Sequence, residues 1–106
     1  MLYTTTPNLE GQRPIATYLG TVTGSVVQSK HLGRDIMAGL KTLVGGEVKG
    51  YTEMLVQARK RATKRMCSEA EAKGADAVVN VRFTTSSLMQ GMCEILAYGT
   101  AVRLNQ

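Results

Sequence analysis

The chain has 106 residues, of which 43% are hydrophobic and 20% charged, a composition that predicts one globular domain and excludes a disordered chain. A chain of this length can bury a core without metal or disulfide cross-links. The formal net charge is +5, and five of the thirteen basic residues lie between Arg59 and Arg65, so the excess is a local patch. Such a patch is typical of the solvated face of a helix, although it also suits an anionic partner.

The sequence carries no sign of export or of membrane insertion. No apolar run approaches the ~18 residues that a membrane span needs. The N-terminal residues lack the basic start and the apolar core of a signal peptide. The two cysteines, Cys67 and Cys93, do not suggest the disulfide framework of a small secreted protein. We therefore expect a cytoplasmic protein that does not contact a membrane.

The N-terminal part of the chain is predicted to form β-structure. Leu2–Thr5 is typical of a short strand, Gly11–Pro14 of a turn, and Ile15–Ser29 of a long strand rich in Thr, Val and Gly. One face of the long strand carries Ala16, Tyr18, Gly20, Val22, Gly24 and Val26. Because glycine in a strand permits the close approach of another backbone, we expect a helix to lie on the face with Gly20 and Gly24.

Two helices are predicted to follow. From Asp35 to Val44 the apolar residues repeat at helical spacing, and Gly45-Gly46 supplies a stop. A long amphipathic helix extends from about Tyr51 to Lys73, and Gly74 ends it. Its apolar stripe consists of Tyr51, Leu55, Ala58, Ala62, Met66 (or Cys67) and Ala70. The alanines of this stripe would let the helix pack close to a sheet.

The C-terminal part is predicted to form a hairpin of two strands. In the first strand, apolar Ala77, Val79, Val81 and Phe83 alternate with the mostly polar set Val78, Asn80, Arg82 and Thr84. Ser86–Gly91 has the length of a hairpin loop, and Met92–Leu104 is the second strand.

Both faces of this last strand are substantially apolar. One face carries Ile95, Ala97, Gly99 and Ala101, and the other carries Met92, Leu96, Tyr98, Val102 and Leu104. A single layer of helices covers only one face of a sheet. The other face must meet a second layer or another subunit, and in so short a chain we expect self-association.

The motifs that carry a family resemblance span nearly the whole chain in order. They are Thr4-Thr5-Thr6-Pro7-Asn8-Leu9-Glu10-Gly11, Leu19-Gly20-Thr21-Val22-Thr23-Gly24, Arg34-Asp35-Ile36-Met37-Ala38-Gly39-Leu40 with Val44-Gly45-Gly46, Gly50-Tyr51, Ala58-Arg59, Gly74-Ala75-Asp76-Ala77-Val78-Val79 and Gly99-Thr100-Ala101-Val102. On these motifs the chain resembles the YbjQ-like family of small bacterial proteins, often labelled "putative heavy-metal-binding".

The resemblance implies a single domain over residues 1–106 of the α/β (α+β) class. Its antiparallel sheet would be backed by one long and one short helix, as in a dodecin subunit. The resemblance also implies assembly as a ring, a homopentamer, in agreement with the two-faced last strand. The family has no established activity, so the resemblance names no reaction and no catalytic residue, and we expect no enzyme.

Heavy-metal binding needs a separate test on the residues. Thiolate and imidazole are the ligands that soft metals favour, and the chain offers only Cys67, Cys93 and His31. None of them lies at ligand spacing from another, so one subunit cannot build a four-cysteine site. The methionines are Met1, Met37, Met54, Met66, Met89 and Met92, which are typical gap fillers or interface residues. We therefore expect no metal site and no cofactor within one subunit, although a ring could gather ligands from several subunits.

The remaining chemistries are poorly supported by the sequence. His31 is the single histidine and lies far along the chain from both cysteines, so no cysteine–histidine pair is indicated. Asp76 is expected to fix the turn after Gly74 and not to transfer protons. No phosphate-binding loop is present around Gly45-Gly46. The Arg59–Arg65 patch could contact phosphates, but no aromatic stacking pattern accompanies it, so nucleic acid is disfavoured as a partner.

Overall fold

The computed structural model describes residues 1–29, 49–89 and 92–105. In this part the chain forms strands β1 (Leu2–Tyr3), β2 (Ile15–Ser29), β3 (Ala77–Met89) and β4 (Met92–Leu104), and helix α1 (Lys49–Ala72). The predicted short helix from Asp35 to Val44 lies outside the described residues. The hairpin loop was predicted to begin at Ser86. That prediction was wrong, because β3 continues as a strand to Met89.

The four strands form one mixed sheet in the order β1-β3-β4-β2. β4 pairs antiparallel with both β2 and β3, as predicted, while β1 pairs in parallel with β3. The expectation of a wholly antiparallel sheet was therefore wrong at β1. The N-terminal segment follows β3 in the same direction, and its pairing continues past the strand, where Thr4 N–H donates to Val78 and Val81 N–H donates to Thr4.

Helix α1 packs on one face of the sheet, which we call the helix face. The buried residues there are Val22, Val26, Ala58, Ala62, Met66, Ala70, Val78, Val81, Ile95, Ala97 and Ala101. The predicted apolar stripe of α1 is thus confirmed from Leu55 to Ala70, with Met66 in the core and Cys67 packed against it in part. The side chain of Tyr51 lies outside the described residues. A Cβ atom on Gly24 would collide with the backbone oxygen of Ala62 and the backbone nitrogen of Met66. The expected close approach of a helix is confirmed at Gly24.

Helix α1 ends at a cap formed by Gly74, as the sequence predicted. Gly74 has φ +80°, a conformation that glycine adopts without steric cost. Its N–H donates to Glu71 O at 2.9 Å, and Ala75 N–H donates to Ala70 O at 3.0 Å, which together form a Schellman cap. Asp76 then ties this turn to the sheet, since its carboxylate accepts the Leu104 N–H at 2.9 Å. The Asp76 carboxylate thus holds the turn against β4, through a contact with a distant strand that the sequence did not indicate.

Two β-bulges change which side chains face the helix. Asn80 has φ +54°, and the β3–β4 register shifts between Val79 and Arg82. Val79 therefore faces away from the helix while Val81 enters the helix-face core, so the predicted clean alternation along β3 was wrong. A second shift, before Gly20, gives that residue φ +103° with open space where a Cβ would lie. Gly20 is therefore required by the conformation of the bulge, and the expectation that it allows close contact with the helix was wrong.

The opposite side of the sheet, which we call the back face, is covered only in part. Ala77, Val79, Val102 and Leu104 are buried there. Leu9 and Ile15 pack against this cluster, so the N-terminal segment supplies the cover. The apolar character of both faces of β4 is confirmed. Among the described residues, no helix combines the length and the apolar character needed to cross a membrane.

Candidate functional site

A groove lies beside α1 because the helix is not centred on the sheet. α1 packs mainly on β2 and β4 and touches β3 little. The glycine contact at Gly24 draws the helix toward β2. On that side, the Arg65 guanidinium donates to Ser25 O at 2.6 Å, and the Glu69 carboxylate accepts the Thr23 N–H at 2.9 Å. Toward the other edge of the sheet, Tyr3 of β1 and Phe83 of β3 remain exposed, whereas Val78 and Val81 of β3 are buried in the helix-face core.

The groove has a volume of about 500 Å³, within the range of small-molecule sites. It is lined by Met1, Tyr3, Val56, Arg59, Lys60, Thr63, Lys64, Cys67 and Phe83. The strand side contributes Tyr3 and Phe83, and α1 contributes an apolar wall at Val56. The Thr63 hydroxyl is already used, since it donates to Arg59 O at 2.9 Å. The groove therefore combines aromatic rings with cationic side chains.

The five residues of the basic patch do not share one position in the structure, and Arg61 is exposed outside the groove. Arg59, Lys60 and Lys64 line the groove. Arg65 lies on the other side of α1, where its hydrogen bond to Ser25 O holds the helix against β2. No carboxylate pairs with the three groove cations in the part of the chain that the structure describes. The patch is thus not one uniform surface, because one of its five residues belongs to the helix–sheet contact.

Cys67 is half-buried in the wall of the groove. Burial raises the pKa of its thiol; the nearby Met1 amino group opposes this effect and the Glu71 carboxylate adds to it. A raised pKa leaves a smaller fraction of thiolate at neutral pH, and thiolate is the form that binds metals. Cys67 therefore presents a neutral, weakly polar surface to the groove.

The other candidate ligands do not join Cys67. Cys93 lies four residues before Ala97, the β4 partner of Gly24, so it is roughly 13 Å along the strand from the level of Cys67. Two thiolates on one zinc ion lie within about 4.6 Å of each other. His31 and Met37 lie outside the described residues.

The residues present in one subunit do not fit a heavy-metal site in the described ranges. No group of three His, Cys, Asp or Glu side chains in those ranges could hold a metal ion. The described methionines are dispersed: Met66 is buried in the core, Met1 and Met89 are exposed, and Met54 and Met92 are half-buried.

Comparison with known proteins places the chain in a family. A sequence model for a family described as "Putative heavy-metal-binding" matches residues 1–105. The chain belongs to the YbjQ-like family. A UPF0145 protein of Photobacterium profundum is 62% identical over 104 residues, covering 98% of this chain and all of the relative. A UPF0145 protein of Thermotoga maritima is 58% identical over 106 residues, covering this chain and 99% of the relative.

A solved structure shares the fold of this YbjQ-like chain. It is a crystal structure of a protein of unknown function from the DUF74 family of Pediococcus pentosaceus, with a TM-score of 0.67. The match covers 99% of this chain and 98% of the other, at 15% sequence identity. At that identity the likeness shows the α+β fold alone. The function of the family is not established.

Cys67 and the basic residues were identified as candidates from the sequence. The groove that they line together was not predicted. Tyr3, Val56 and Phe83 carry no motif. Phe83 was expected on the same face as Val79, and the bulge at Asn80 places it instead at the groove. The signal that could have revealed the groove is the single glycine contact at Gly24, because it fixes the lateral position of the helix.

Proposed function

We propose that the protein is a single-domain, non-enzymatic cytoplasmic homo-oligomer, a ring of five subunits. The observation that supports this proposal is the half of the back face that stays partly exposed and that no described segment of the chain covers. Regular alternation along β4 places Leu96 and Tyr98 on the same face as Val102. The N-terminal segment covers Val102, but Tyr98 is 37% exposed.

The uncovered half extends across the neighbouring strand. Val27 pairs with Glu94 on β4, so its side chain shares the back face, and it is 47% exposed. β2 also contains no charged residue over its 15 residues. Exposed strands usually carry charges that prevent pairing with other chains. On the back face, Val27 lies opposite Glu94 and Tyr98 lies opposite Arg82, so the exposed surface is partly apolar and partly charged. Contact with a second copy would bury its apolar part.

The shape of the subunit supports the same proposal. Its radius of gyration is 17.0 Å, whereas a compact domain of this length has about 13 Å. β3 from Thr84 to Met89 is exposed throughout, so the end of the β3–β4 hairpin projects from the core. Contact with a neighbouring subunit would bury such a hairpin. A ring would supply such neighbours to every subunit.

Native mass spectrometry of the purified protein tests the proposal. We expect an assembly of five times the 11.4 kDa subunit mass. Tyr98→Glu and Val27→Glu place a charge on the back face and should reduce the assembly to monomers at micromolar concentration. Gln57→Glu, an exposed position on α1, adds the same charge elsewhere and should leave the assembly intact. A wild-type monomer, or an assembly that tolerates both back-face charges, would overturn the proposal.

Heavy-metal binding is a second candidate, favoured by the description of the family. Because the thiols of one subunit lie far apart, such a site would combine Cys67, Cys93 or methionines of neighbouring subunits. If so, zinc, copper or cadmium should add mass to the assembly, and a chelator should remove it. Cys67→Ser combined with Cys93→Ser should abolish the added mass, with Ser68→Ala as a control. Metal binding unchanged by the double substitution would exclude a thiol site.

A further inference from the structure

Two aromatic residues of the groove lining are partly exposed. Phe83 is 44% exposed and Tyr3 is 50% exposed, although both lie next to α1. Together with Val56 and the neutral thiol of Cys67, they supply apolar surface to the groove lining. Burying such a surface contributes about 25 cal/mol per Å². Burial of this surface would therefore contribute favourable free energy to the binding of an apolar ligand in the groove.

The cationic side chains of the groove favour a ligand that also carries a negatively charged group. Arg59 and Lys60 are neighbours in sequence, and Lys64 lies one helical turn after Lys60, on the same side of α1. All three line the groove, and in the described residues none has a carboxylate partner. A negatively charged group at this rim would meet three positive charges. A positively charged ligand would be repelled.

The apolar surface and the cations together restrict the class of ligand. A free inorganic anion would use the cations but gain nothing from Tyr3 or Phe83. A neutral apolar molecule would use the rings but not the cations. We propose that the groove binds an anionic amphiphile, with an apolar chain on Val56 and Phe83 and a carboxylate or phosphate head at Arg59, Lys60 and Lys64.

This site is separate from the proposed subunit contact. The groove opens on the helix face, between α1 and β3, whereas Val27 and Tyr98 lie on the back face. Occupation of the groove does not require any particular number of subunits. Failure of the pentamer would therefore leave the ligand proposal standing, and the reverse also holds.

Isothermal titration of the full-length protein with dodecanoate, below its micelle concentration, tests the proposal. We expect saturable binding of dodecanoate and of dodecyl phosphate. Dodecanol and inorganic phosphate should each bind at least tenfold more weakly, because each lacks one half of the ligand. Equal binding of dodecanol and dodecanoate, strong binding of inorganic phosphate alone, or no binding of dodecanoate would overturn the proposal.

Two pairs of variants locate the site. Lys60→Gln with Lys64→Gln should weaken dodecanoate binding at least tenfold. Arg13→Gln with Arg61→Gln removes the same charge from exposed positions outside the groove and should change binding less than twofold. An equal loss in both pairs would show a diffuse charge effect and overturn the proposal. Phe83→Ser should weaken dodecanoate and dodecyl phosphate alike, and Phe83→Leu should retain most of the binding.

Discussion

Replacing Gly24 with alanine is expected to lower the free energy of unfolding by about 3 kcal/mol, near the upper end for overpacking in a core. The added Cβ would collide with backbone atoms of Ala62 and Met66. Backbone atoms in a helix cannot move aside as a flexible side chain can, so α1 must shift as a body. Urea unfolding at a fixed subunit concentration measures the change.

Thr17→Ala is the control for this substitution. Thr17 is exposed on the same strand, so the change should alter the unfolding free energy by less than about 1 kcal/mol. A Gly24→Ala variant as stable as the wild type would mean that α1 does not rest on β2 at this point. The lateral position of the helix, and with it the groove, would then be wrong.

Replacing Met66 with alanine should lower the free energy of unfolding by about 2–5 kcal/mol, the range for truncating a large buried aliphatic side chain to alanine. Met66 is fully buried, with 0% of its surface exposed, and it is the largest such side chain in the described core. Its neighbours on the α1 stripe are alanines, which cannot extend to fill the cavity. Thermal unfolding followed by circular dichroism measures the loss.

Met89→Ala is the matched control, because it is the same substitution at a residue that is 61% exposed. It should change the stability of the subunit by less than about 0.5 kcal/mol. Equal effects of the two substitutions would contradict the placement of Met66 in the core. A larger effect of Met89→Ala only on the mass of the assembly would instead report on subunit contacts.

Features with a local cause could be predicted from the sequence. The stop at Gly74 and the apolar stripe of α1 depend on residues within a few turns of one another. The two-faced pattern of β4 also holds, since β4 contains no bulge and its side chains alternate along its whole length. For the same reason the uncovered back face could be anticipated from Leu96 and Tyr98 alone.

Features that depend on one residue in an unusual conformation, or on pairing between distant parts of the chain, could not be predicted from the sequence. The positive φ of Asn80 reverses the faces of β3 beyond it, and asparagine is common at many positions without this effect. The parallel pairing of Leu2 with Ala77 joins residues 75 positions apart. The groove follows from both, because Phe83 reaches it through the bulge and Tyr3 through the N-terminal pairing.

The hydrogen bonds from α1 to the outer edge of β2 make the helix part of the sheet's own bonding. Where a neighbouring strand would satisfy Thr23 N–H and Ser25 O, the side chains of Glu69 and Arg65 do so. The strand edge therefore loses partners whenever the helix lifts. Detachment of α1 and fraying of β2 should consequently be one cooperative event, in which the helix and the sheet edge open as a unit.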